Sequence, residues 1–209
     1  MRFSLLFISI FCFTTLSLSA QQAKKPVFGE VGLGFGQALF IGDMQTQLTN
    51  ALGGSFEPSI GNNLMMGYYL APAKWRGLGI GTRIHGTFGT PVSGTQSSQY
   101  VFNYYNLALT AKYYPFSQTF NQGFYLRASA GFGQMTVKRL NESSLDYVHQ
   151  YAIGSSLTAN LGYTFAFETF GLGLEAHYEY ANRNGTVSGE GDGVRFISGQ
   201  LGANLILSF

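Results

Sequence analysis

Chemistry in this chain would centre on its three histidines, His85, His149 and His177. Each is followed two residues later by a side chain that would share its face of an extended strand: Thr87, Tyr151 and Glu179. A Ser at that spacing would set a nucleophile beside a general base, and none of the three positions has one. His177 and Glu179 share a face and could pass a proton between them. Glu30, Arg83, Lys112, Arg127 and Glu175 also lie within apolar stretches. No metal-ligand spacing stands out, and the single cysteine, Cys12, lies near the N-terminus. Glu30-Val31-Gly32-Leu33-Gly34 contains a Gly-x-Gly run, but no helix follows it, so a dinucleotide loop is excluded. No cofactor is expected.

The elements that must position these residues read as strands, because apolar residues recur at every second position. Val31, Leu33, Phe35, Leu39 and Ile41 oppose Glu30, Gly32, Gly34 and Gly36 in the first strand. Strands follow over about Ile60 to Ala71, Gly77 to Thr90 and Tyr100 to Tyr114, then from Phe124, over Val148 to Phe167, from Leu172 and over Val194 to Phe209. The count is eight. Short connections centre on Pro72, Pro115 and Glu168. Longer polar ones cover Asp43 to Ser59, Thr90 to Gln99, Arg139 to Asp146 and Asn182 to Gly193. Leu48, Ala51 and Leu52 favour a short helix within the first of these.

Composition points to lipid. The 209 residues are 11% charged and 16% aromatic, with 28 glycines. Charged residues make up about 25% of ordinary soluble domains. The net charge of +2 suggests no nucleic-acid surface. No stretch after the N-terminal segment offers the roughly 20 apolar residues of a membrane helix. Strands of about ten residues cross a bilayer instead, as barrels do. Met1-Arg2, the apolar run Phe3 to Phe13 and the small residues to Ala20 form a secretory signal. Residues 1–20 are therefore expected to be removed, leaving 21–209 as the barrel domain; cleavage after Ser19 is the alternative. The chain ends on alternating Leu205, Leu207 and Phe209.

Glu30 to Gly34, Ile41-Gly42-Asp43, Lys112-Tyr113-Tyr114-Pro115-Phe116 and the terminal Phe209 carry a resemblance. The chain resembles the small eight-stranded outer-membrane barrels of the OmpA/OmpX type, and the outer membrane protein β-barrel families of Bacteroidetes. The resemblance implies an all-β, eight-stranded, antiparallel up-and-down transmembrane barrel in the bacterial outer membrane; the alternation of short and long polar connections reads as periplasmic turns and extracellular loops, with both termini periplasmic. It makes Leu205, Leu207 and Phe209 a sorting signal read by the barrel-assembly machinery. Outer-membrane lipid and lipopolysaccharide would surround the barrel. The runner-up fold is a soluble lipocalin-like barrel, with the apolar phase inside.

With the apolar phase outward, Glu30, Arg83, His85, Lys112, Arg127, Glu175, His177 and Glu179 enter the lumen. An eight-stranded barrel has room for little more than side chains, so a polar plug of ion pairs is expected, with Arg83, Arg127 and Glu175 near mid-height. Two aromatic belts are expected. Trp75, Tyr113, Phe124, Tyr163, Phe165, Phe170 and Phe209 would form one, and Phe40, Tyr100, Phe102, Tyr151, Tyr178 and Tyr180 the other. The function read from this is structural or interactive, through the loops, with an unidentified surface or secretion partner. A narrow gated ion or small-solute channel is the alternative, and a lipid-modifying enzyme a weaker one.

Overall fold

The computed structural model describes residues 26–51, 54, 56–58, 60–94, 99–140, 150–187 and 191–209. The proposed signal lies outside them. Strand β1 (Val27–Ile41) leads to helix α1 (Asp43–Ala51) and the short β2 (Phe56–Pro58). Then come β3 (Ile60–Leu70), β4 (Leu78–Gly94), β5 (Gln99–Tyr113), β6 (Gly123–Leu140), β7 (Gln150–Ala166), β8 (Gly171–Val187) and β9 (Gly191–Ser208). Each long strand pairs antiparallel with the next, and β1 pairs with both β3 and β9, so the sheet closes. Among the described residues eight strands form the barrel, while β2 only adds to β4 over Val92 to Gly94.

Closure leaves each strand one inner and one outer face. Leu33 and Leu109 are 65% and 70% exposed, and Ile84, Leu157, Leu174 and Leu201 are exposed with them. The polar phase is buried. A lipocalin-like barrel would have these faces reversed, so that alternative is excluded. Midway along the outer face of β5, Leu109 lies between the exposed Tyr105 and Tyr113. Tyrosines favour membrane interfaces, so Leu109 falls near the middle of the apolar band. Leu109→Arg is expected to cost about 2–4 kcal/mol of unfolding free energy in lipid. A cost below about 0.5 kcal/mol, the usual range for a water-facing surface site, would mean this face does not meet lipid. Urea titration in bilayers measures it.

Three connections expected to be loops are in part strand. β4 continues to Gly94 and β5 starts at Gln99; β8 reaches Val187 and β9 starts at Gly191; β6 runs through Arg139 to Leu140. Residues 141–149, with His149, lie outside the described residues. Polar residues mark where strands leave the apolar band, but ladder hydrogen bonds do not require an apolar face. A bulge between Thr87 and Thr90 marks such a departure on β4, with Gly89 at φ 66° and its N–H donating to Asn103 Oδ1 at 2.9 Å. The expected Asp43 to Ser59 loop does contain a helix, α1, and also β2.

Candidate functional site: the barrel interior

Strand phase directs charged side chains inward from β1, β4, β5, β6 and β8. Glu30, Arg83, His85, Lys112, Arg127, Glu175, His177 and Glu179 are all buried there. They form two groups. In the first, Lys112 and Arg127, directly opposite one another on β5 and β6, both pair with Glu30 from β1. Like charges placed opposite repel, and Glu30 between them offsets this. Arg127 also pairs with Glu175 at 2.7 Å, and Glu175 with Arg83 at 3.3 Å. Glu175 further accepts from Tyr125 Oη at 3.0 Å and Asn160 Nδ2 at 2.8 Å.

In the second group Glu179 contacts His85 and accepts from Arg183 at 3.0 Å. His177 stands between the groups and contacts Asn204 through Nδ1 at 3.2 Å. Asn63, Thr87 and Gln200 join the wall here, with the Thr87 hydroxyl 2.6 Å from Asn63 Oδ1 and 2.7 Å from Gln200 Oε1. Arg183 belongs to this site although it falls in a stretch expected to be loop. Its signal was phase: it continues the inward series Glu175, His177, Glu179 and Ala181.

An apolar group lies towards each end of the barrel. Near the short turns, Tyr69, Ala71, Tyr114, Phe120 and Tyr125 pack together, with Phe28 against them. Lys112 Nζ lies 4.0 Å from the Tyr125 ring centroid and 5.2 Å from that of Tyr114. These are cation–π distances. At the opposite end Ala38, Phe40, Phe102, Tyr104, Met135, Ala152 and Phe196 form a second apolar group, and α1 inserts Met44 into it.

Phe40 and Phe102 therefore correct the expected belt. They occupy the same phase as Glu30 on β1 and Lys112 on β5, and alternation sets their direction regardless of aromatic character. Tyr100 is partly buried against the same inner group, whereas Tyr178 and Tyr180 do face outward. The Tyr151 side chain is not among those described. At the other end Tyr113, Tyr163, Phe165 and Phe170 are exposed, as is Phe116.

The last strand presents Leu205 and Leu207 outward. Phe209 exchanges backbone hydrogen bonds with Gly29, at 2.8 and 3.0 Å. The start of β1 and the end of β9 thus meet at the barrel end that carries the short turns. Among the described residues no group of three or more His, Cys, Asp or Glu could hold a metal ion.

No family model and no curated protein matches the chain. Among solved structures it is similar to Neisserial surface protein A, at 12% identity and a TM-score of 0.50, over 88% of this chain and 98% of that one. It is also similar to Ail of Yersinia pestis, solved with the heparin analogue sucrose octasulfate, at 18% identity and a TM-score of 0.46, over 86% and 98%. OprG of Pseudomonas aeruginosa matches at 11% identity and a TM-score of 0.45, over 90% and 98%. The likeness is one of architecture: the chain has the closed eight-stranded antiparallel fold of the small bacterial outer-membrane barrels.

Proposed function

We propose that the protein is an integral outer-membrane barrel with a plugged lumen that acts as a structural or interaction protein through its extracellular loops. The observation that supports this reading is the arrangement of the interior, in which two ion-paired groups lie between an aromatic group towards one end and an apolar one towards the other. In this reading residues 1–20 are an export signal, both termini are periplasmic, and the Leu205, Leu207 and Phe209 strand is read by the assembly machinery. The exposed apolar girdle meets lipid and lipopolysaccharide. The longer hairpins and α1 stand on the extracellular side and present the surface for a partner. The reading is non-enzymatic, because the His177 and Glu179 side chains are buried behind the apolar groups, where a lipid substrate has no approach.

The deciding experiment is conductance of the refolded mature chain in a planar bilayer. Insertion is checked first by migration in cold SDS with a shift on boiling. Inserted protein is expected to stay silent. Steady openings would replace the plug with a narrow channel through the polar interior. A chain that is monomeric in water without detergent would end the membrane reading altogether.

A further inference from the structure

The turn from β5 to β6, residues 114–122, folds back across the short-turn mouth of the barrel. Phe120 is 7% exposed. Its ring centroid lies 4.9 Å from that of Phe28 on β1, 5.5 Å from that of Tyr69 on β3 and 5.2 Å from that of Tyr114. The next residue, Asn121, reaches another part of the rim. There the Ser208 hydroxyl of β9 lies 2.5 Å from Asn121 Oδ1 and 3.2 Å from the Gly171 carbonyl oxygen of β8. A Cβ at Gly79 of β4 would overlap the Phe120 ring, and one at Gly171 would lie 2.8 Å from Asn121 Nδ2. Both side chains of the turn thus sit in room left by glycines of the wall.

This arrangement holds the turn in a disfavoured backbone state. Gln118 and Asn121 have φ of 54° and 69°, in the left-handed region that residues other than glycine rarely enter. The seating of Phe120 and Asn121 offsets that strain, while Gln118 and Thr119 stay exposed.

We propose that the β5–β6 turn is a two-position lid over this mouth, with Phe120 as its stopper and the Ser208–Asn121 hydrogen bond as its catch. Loss of either seat lets the strained residues relax outward, as a local opening that leaves the strand ladder intact. Opening brings water to the Tyr125 and Lys112 end of the polar interior, and leaves the apolar group beneath α1 in place. The barrel then offers an internal surface open to one side, and not a path through. The inference does not depend on the role given to the loops, and its readout is reaction at one end, not conduction.

The test is thiol reactivity. Cys12 is the one cysteine of the sequence, so the mature chain accepts a single reporter. Thr164→Cys places it beneath the lid, where the Thr164 hydroxyl is 3.1 Å from Tyr114 Oη. Ser198→Cys places it opposite Phe40, near the other apolar group, and both residues are buried. In folded protein in micelles, a charged methanethiosulfonate is expected to react with Thr164→Cys far more slowly than in the urea-unfolded chain. Adding Ser208→Ala removes the catch and should speed that reaction up to about tenfold. Gly79→Ala fills the Phe120 seat without altering the turn, and should speed it roughly tenfold or more. If one of these variants fails to fold, the other still decides. Ser198→Cys should stay slow in every background, which separates a moving turn from a loosened barrel. A Thr164→Cys rate unmoved by either substitution, a rise shared by the two reporters, or a parent rate matching the unfolded chain would overturn the proposal.

Discussion

Glu30→Gln should be among the most damaging single changes the barrel can receive, costing about 3–5 kcal/mol of unfolding free energy. Among the described residues Glu30 is the only carboxylate paired with Lys112 and one of two paired with Arg127, and all three side chains are buried. The substitution keeps shape and removes one charge, so two cations opposite each other on neighbouring strands lose what separates them. The effect comes from orphaned charge, and a double variant shows this. Glu30→Gln with Lys112→Met removes one cation along with the anion and keeps most of the buried volume, so it should recover a large part of the loss. Urea unfolding in micelles, read by intrinsic fluorescence and by the SDS gel shift, gives both values. If the double variant is as weak as the sum of the two singles, the groups are not coupled.

The second large effect is expected at Gly81. Its position on β4 lies opposite Tyr69 on β3, and a Cβ built there overlaps the main-chain carbonyl oxygen of Tyr68 and sits 2.9 Å from the Tyr69 Cα. Neither atom can move without shifting a strand. Gly81→Val should therefore abolish the heat-modifiable folded band. Gly173 on β8 is the control: nothing lies nearer than 3.5 Å to a Cβ added there, and Gly173→Ala should refold like the parent. Comparable yields for the two variants would mean that the β3–β4 ladder adjusts, and that the close approach at Gly81 constrains nothing.

Alternation was the most legible feature of the sequence. A residue's parity within its strand decides whether it meets the lumen or the surroundings, and the buried positions of Glu30, Arg83, Lys112, Arg127 and Glu175 follow from parity alone. Parity also held where side-chain type argued against it. Phe40 and Phe102 look like interfacial residues, yet they stand in register with inward partners and point into the lumen. Arg183 was hidden for the opposite reason: its polar neighbours suggested a loop, while the strand ran on and kept its phase. Met44 had no periodic signal, since its burial depends on α1 folding back onto β1 and β9. Which ions would meet was only partly readable, because strand stagger sets relative heights around a barrel. The sharing of Glu30 by Lys112 and Arg127 depends on side chains reaching across the lumen between strands that are not neighbours.

That sharing bears on how the barrel assembles. The ion pairs of Glu30 join residues 82 and 97 positions apart, and the pair between Arg83 and Glu175 spans 92. None can form within a single hairpin. Each needs the sheet to have curled until distant strands face one another. An incomplete barrel would carry these charges unpaired into a medium of low dielectric constant, so partly closed sheets are poor resting states. The electrostatics thus favour a concerted final step, in which joining β1 to β9 and matching the charges occur together. Such a barrel should populate few intermediates between the open sheet and the finished cylinder.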